Sequence, residues 1–254
     1  MTLGVQMFTL RRFTQKEATL APALARIAEI GYSAIQVSAF GPIPIKTVRR
    51  HCDSVGLKVT ATHTPWQRLL QELPTVIQEH ESLDCRHTAV GMIPPAEYLS
   101  LAGLAQFLRE AEGVAGALSD AGITFSYHHH NHEFRWFEGK PWLEHLRLQA
   151  PALGIGIELD THWVVAGGGD PADWIDRVGD NMPLLHLKDF VINDQNRRAF
   201  AAIGQGNLNW TEILSAAARW PIEHYFVEQD DCYGEDEFLC LQQSYDFLAQ
   251  RGLG

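Results

Sequence analysis

Short β-rich runs alternate with longer helical patterns eight times along this chain, and that alternation limits the fold more than any other feature. "GVQMF" leads into "TQKEATLAPALARIAEIG", where Thr14 and Glu17 have capping-box spacing and Gly31 supplies a stop. "AIQVSA" then precedes "PIKTVRRHCDSVG", "KVTATH" precedes "WQRLLQELPTVIQEHESLD", and "HTAVGM" precedes "AEYLSLAGLAQFLREAEGVAGALSDAG". The second half repeats the scheme, with "ITFSYHHH", "GIGIELD", "LLHLKDF" and "HYFVEQD" each followed by a helical pattern. Eight β-then-α units in 254 residues are what a closed (β/α)8 TIM barrel of the α/β class requires. An open doubly wound sheet usually has a Gly-rich phosphate turn after its first strand, and "MFTLRRF" has none. No low-complexity or Pro/Gly-rich boundary divides the chain, so residues 1–254 read as a single domain.

A formal net charge of −11 repels phosphate backbones and anionic lipid, and no basic patch offsets it, so neither nucleic acid nor membrane is expected as a partner. Cys52, Cys85, Cys232 and Cys240 form no CxxC pair, which fits buried, reduced thiols. The start lacks a basic segment ahead of its apolar run, and no stretch reaches the roughly 18 apolar residues of a membrane span. A cytoplasmic location is the expectation.

Side chains alternate between the faces of a strand, so each run divides into a helix-facing and a lumen-facing half. In "ITFSYHHH", Ile123, Phe125 and Tyr127 are the helix-facing residues and His129 falls with them, while His128 and His130 face the lumen. In "GIGIELD", Glu158 and Asp160 point inward; in "LLHLKDF", His186 and Lys188; in "HYFVEQD", Glu228. Barrel interiors are normally packed with branched aliphatic side chains, so ionisable groups there must be paired, hydrogen-bonded or bound to metal. These lie near the C-terminal strand ends, where barrel enzymes place their chemistry. His128, Asp160, His186 and Glu228 suit one divalent ion such as Mn²⁺, Co²⁺, Zn²⁺ or Mg²⁺, with positions left open for substrate oxygens.

The segments "YHHHNHEF", "ELDTHWV", "LLHLKDF" and "FVEQD", in this order and spacing, resemble the sugar phosphate isomerase/epimerase family of xylose-isomerase-like barrels, which includes inosose dehydratase, hydroxypyruvate isomerase and ketose 3-epimerases. That family holds a divalent metal with an acid on the fifth strand, an Asp on the sixth, a His on the seventh and a Glu on the eighth. Carried over, the last three are Asp160, His186 and Glu228. The fifth-strand acid is replaced by His128, with His130 as the alternative two residues on, which removes one of the two carboxylates used in two-base epimerisation. Glu158 is a candidate replacement or a partner that orients a ligand.

The resemblance implies a metal-dependent isomerase, epimerase or dehydratase of a keto-sugar or keto-polyol, in which a proton next to a carbonyl is removed. Glu158 or Glu228 is the candidate base and Lys188 or His130 the candidate acid. His63 at the end of the third strand, Glu133, Trp163 and Arg197 are candidate contacts to the substrate, Trp163 as an apolar wall and Arg197 for a phosphate or carboxylate. Trp136 is a second candidate wall. Gly204 and Gly206 in "GQGNLNW" are expected to serve backbone geometry. A small sugar or polyol is therefore the expected partner, and homo-oligomerisation is compatible with everything in the chain. Two alternatives belong to other classes. A barrel that binds a sugar without turnover would account for the missing fifth-strand Glu. An endonuclease IV-like nuclease shares the barrel but needs a three-zinc cluster and a basic groove, and the charge opposes it.

Overall fold

The computed structural model describes residues 2–254. Eight strands form a closed, fully parallel barrel: β1 (Thr2–Gln6), β2 (Ala34–Val37), β3 (Lys58–His63), β4 (His87–Val90), β5 (Thr124–His128), β6 (Ile155–Asp160), β7 (Leu184–Leu187) and β8 (His224–Val227). Closure is made by β1, whose Gly4 sits beside Phe226 on one side and Ala34 on the other. A side chain at Gly4 would meet the Ala34 carbonyl and the Phe226 ring, so glycine lets the strands close over a bulky neighbour.

The helix-facing half of each strand is as the alternation predicts. Phe125, Tyr127, Ile155, Ile157, Leu159, Leu185, Leu187, Tyr225 and Val227 are buried in one apolar cluster beneath the surrounding helices. Each such side chain contributes about 1.5–3 kcal/mol by leaving water, and a one-residue slip would turn them all into the lumen, so the register is strongly fixed. On the lumen side, Ala61, Leu184 and Phe226 form a small separate apolar floor. The ionisable residues stand above that floor at the C-terminal end of the barrel.

Two local expectations are corrected. Thr14 does not cap the first helix, Glu17–Ile30; its hydroxyl donates to the carbonyls of Arg11 and Ala39, and Lys16 occupies the cap position. The pattern over residues 66–84 is two helices, Trp66–Gln71 and Leu73–Leu83, because Pro74 cannot continue a helix begun before it but is well placed in the first turn of a new one. A short helix, Thr161–Ala166, follows β6 directly, started by Asp160, whose Oδ1 accepts from the Trp163 amide at 2.9 Å. Beyond β7 the chain forms an antiparallel ribbon, Asp189–Ile192 with Arg198–Ala201. Among the described residues no helix is long and apolar enough to cross a membrane, and the four cysteines are buried and unpaired.

Candidate active site

Six strands send polar side chains to one point above the floor. Glu158 is at its centre and has no exposed surface. Its Oε2 lies 2.5 Å from His63 Nε2 and 3.4 Å from His128 Nδ1; its Oε1 lies 3.2 Å from His186 Nε2 and accepts from Gln36 Nε2 at 2.7 Å. The three imidazoles crowd together, with ring centroids 4.6–5.4 Å apart. His186 faces a second acidic group through its other nitrogen: Nδ1 is 3.1 Å from Glu228 Oε2 and 3.9 Å from Asp160 Oδ2. Lys188, also fully buried, places its ammonium 2.8 Å from Glu228, 3.1 Å from Asp160 and 3.2 Å from Asp230. The Asp160 Oδ2 contact is a charge pairing without hydrogen-bond alignment.

Burial and pairing divide the charges cleanly. Burial acts to protonate Glu158, but His186 and His63 hold its carboxyl far below the usual range. Burial lowers His186, yet Glu158 and Glu228 outweigh it and push the imidazole up to about 10, so it is a cation. Lys188 is likewise raised despite its burial by Asp160, Glu228 and Asp230. His128 is driven well below its ordinary value by burial and by the neighbouring imidazoles, so it is neutral. Burial lowers His130 to about 4, which leaves it without a proton to donate at neutral pH. Burial, then the Glu228 charge, pushes Asp230 up to about 7.

Above these groups opens a cavity of about 710 Å³, the size of a small-molecule site. His63, His128, His130, Trp163, Lys188, Glu228 and Asp230 reach its wall, as do Phe8, Arg11 and Met92. Trp163 lies over the Lys188 ammonium at 5.2 Å and beside the His130 ring. A second hollow of about 620 Å³ lies at the N-terminal end of the barrel, lined by Arg49, Lys58, Arg86, Glu223 and His224, on the face that barrels use for stability rather than chemistry.

The structure redistributes the sequence-based residues. Asp160, His186 and Glu228 converge as expected, their donor atoms within 4.8 Å of one another. His128 does not join them; it belongs with His63, Glu158 and His186 in a second group of the same compactness. His130 belongs to neither group; its ring lies 5.1 Å from that of His128 and is stacked on His132, beside Glu133. Glu158, expected as a base facing substrate, is sealed beneath the imidazoles. Glu133, expected at the substrate, is fully buried: its Oε1 accepts from Tyr127 Oη at 2.7 Å and its Oε2 from the His130 amide at 2.8 Å, so it anchors the turn after β5. Arg197 sits at the exposed tip of the ribbon against Gln195 and does not line the cavity, nor does the exposed Trp136. His129 faces outward as its parity requires, and its Nε2 accepts from the Asp160 amide at 3.1 Å. Gly206 lies against Asp189 and the Phe190 carbonyl, where any side chain would collide.

Gln36, Arg11 and Asp230 were missed. Gln36 sits in "AIQV" on the inward parity with Ala34, so the alternation rule applied to β2 would have found it. Asp230 continues the inward parity of Glu228 by one step. Arg11, which donates to the Asp230 carbonyl at 2.8 Å, follows β1 in a short 3-10 turn that carries no periodic signal.

The fold and site define a parallel (β/α)8 barrel whose C-terminal mouth concentrates histidines, acids and one buried lysine around a small-molecule cavity. Residues 24–228 match the family described as Xylose isomerase-like TIM barrel, and the chain belongs to that family. Among solved structures, a sugar phosphate isomerase/epimerase from Parabacteroides distasonis ATCC 8503 superposes with TM-score 0.78 at 23% identity, over 97% of this chain and 93% of that one. A D-psicose 3-epimerase from Clostridium cellulolyticum H10, solved with D-tagatose, gives TM-score 0.73 at 14% identity over 100% and 99%. An L-ribulose 3-epimerase gives TM-score 0.75 at 15% identity over 98% and 93%. At these identities the likeness is one of fold. Among curated proteins none matches the chain in sequence.

Proposed function

We propose that this protein is a divalent-metal-dependent isomerase, epimerase or dehydratase that removes a proton next to a carbonyl of a keto-sugar or keto-polyol. The observation that carries the reading is the Lys188–Glu228 pair: a fully buried ammonium and a carboxylate 2.8 Å apart, both lining one small-molecule cavity. Support comes from the family, whose structural neighbours named above include sugar epimerases.

The residues fit a divalent cation. Two compact donor groups share His186, and buried ligand atoms on each, Asp160 Oδ2 and His128 Nδ1, lack a hydrogen-bond partner. When bound, such an ion polarises a carbonyl and stabilises the enediolate charge.

The chain's own groups divide the remaining work. Glu158 is sealed below, so the acids that touch the cavity are Glu228 and Asp230; Glu228, held ionised beside Lys188 and His186 while burial raises Asp230 to about 7, is assigned the proton. Paired with Lys188 it is a weak base; a substrate oxygen that draws the ammonium toward itself frees the carboxylate and raises its basicity. Lys188 then stays protonated and faces the developing oxyanion, which is the electrostatic role such buried cations perform best. The C–H proton passes to Glu228 Oε2, and the enediolate is either reprotonated by Glu228 at a neighbouring carbon or expels a β-hydroxyl that leaves as water with the proton Glu228 has taken. His63 and Trp163 supply a polar and an apolar wall for the sugar. His130 is neutral and acts through hydrogen bonding rather than as the acid.

The test is incubation of the metal-supplied protein in deuterated water with ketoses, inososes and 3-keto-glycosides, followed by NMR. Deuterium next to the carbonyl in one of these supports the reading. With metal bound, no exchange anywhere on the panel would leave a sugar-binding barrel without turnover.

A further inference from the structure

We infer that the metal seat of this chain is the histidine-rich group, His63, His128, Glu158 and His186, rather than Asp160, His186 and Glu228 with a fifth-strand ligand. The inference deepens the functional reading above by placing its cation, and it rests on that reading only for the ion's role in turnover.

Four observations carry it. First, four donors from β3, β5, β6 and β7 converge within 4.8 Å: His63 Nε2, His128 Nδ1 and His186 Nε2 lie 2.5, 3.4 and 3.2 Å from the Glu158 oxygens, and His186 Nε2 also meets Gln36 Oε1 at 2.7 Å. Second, His128 Nδ1 is buried and has no hydrogen-bond partner, whereas Asp160 Oδ2 of the competing group, also without one, has the Lys188 ammonium 3.1 Å away. Third, two of the ligands have outer partners of the kind that orient metal ligands: His186 Nδ1 faces Glu228 Oε2 at 3.1 Å, and Glu158 accepts from Gln36 Nε2 at 2.7 Å. Fourth, the competing group holds a cation beyond the shared His186, since the Lys188 ammonium lies between Asp160 and Glu228. The seat is reachable, because His63 and His128 both line the cavity.

Three imidazoles and one carboxylate form a borderline donor set, so Zn²⁺ and Co²⁺ are the ions that fit, with Mg²⁺ the poorest. A fifth position toward the cavity admits a substrate oxygen. Ligation requires any proton on the imidazole nitrogens that face Glu158 to leave, so uptake of metal releases acid.

The experiment is a titration of chelator-treated, full-length protein with Co²⁺, Zn²⁺ and Mg²⁺ in the absence of substrate. Bound metal is counted by elemental analysis, and the Co²⁺ visible spectrum reports coordination. One Co²⁺ or Zn²⁺ per chain is expected, bound at least about tenfold more weakly by His63→Ala and His128→Asn, and within about threefold of the parent by Asp160→Asn. His63 is the partly exposed member, so its variant reports on the seat if His128→Asn folds poorly. Loss of metal in Asp160→Asn with retention in His63→Ala and His128→Asn would overturn the inference, as would a parent that binds no Co²⁺ or Zn²⁺. Because no substrate is present, either outcome leaves the deuterium-exchange test of the function standing.

Discussion

At the scale of single residues, the site is governed by where charge is buried. Lys188 is the clearest case, a buried ammonium held among three carboxylates at the edge of the cavity. Lys188→Met would leave Asp160 and Glu228 uncompensated, and removal of one partner of a buried ion pair costs about 3–5 kcal/mol. Urea denaturation at pH 7 should show a loss of that order; a change within about 0.5 kcal/mol would mean that the carboxylates find another partner. His129 offers a milder test. Its ring accepts the Asp160 amide and its Nδ1 lies 3.1 Å from the His130 carbonyl, so His129→Leu strands a buried amide at a cost of about 1–3 kcal/mol. That loss should appear in stability while Co²⁺ affinity stays close to the parent's. A large loss of metal with an intact fold would place His129 on the lumen side after all.

Among the elements, the segment after β7 shows how one acid organises a loop. Asp189, the last residue of "HLKD", accepts from its neighbour's amide at Phe190, from the Gly204 and Leu208 amides, and from the Trp210 indole at 2.6 Å. It therefore ties the ribbon to the helix Trp210–Ala217. Asp189→Ala should make residues 190–209 the first segment cut in limited proteolysis, with a melting temperature several degrees lower; unchanged cleavage would show that the ribbon holds itself. The barrel, the β-then-α order and the inward parity of Glu158, Asp160, His186, Lys188 and Glu228 were all legible in the sequence, because strand alternation is a local, two-residue property. The grouping of His128 with His63 was not. It depends on how far each strand climbs above the floor and on ring rotamers, neither of which has a period. Glu133 was misplaced for a related reason: its position just past β5 suggested the mouth, but Tyr127 and the His130 amide draw it beneath the turn.

For the whole molecule, pH is the sensitive variable, because many of its histidines are folded in as neutral rings. Burial lowers His130, His162 and His224 to about 4. The unfolded chain takes up these protons near pH 6.5, the ordinary histidine value, so the stability they support is present above about 6.5 and lost as pH falls toward 4. Asp230, raised to about 7, works the opposite way over the same interval, but it is one group against three. The urea midpoint should therefore fall between pH 7 and pH 4, and His224→Gln, outside the active-site mouth, should lessen the fall; a flat profile would contradict the burial assigned to these rings. On the alkaline side His186, raised to about 10, supports stability that is lost as pH climbs through that value.

The central claim is that Glu228 takes the proton while Glu158 acts from beneath the imidazoles without touching substrate. It is tested most directly by the rate of solvent deuterium incorporation into the responsive substrate, compared between the parent and Glu228→Gln, with substrate binding to the variant confirmed by saturation-transfer NMR. Removal of a general base typically slows its step by about 10²–10⁴-fold, and the account predicts a loss in that range with binding retained. Exchange by Glu228→Gln at the parent's rate would contradict it.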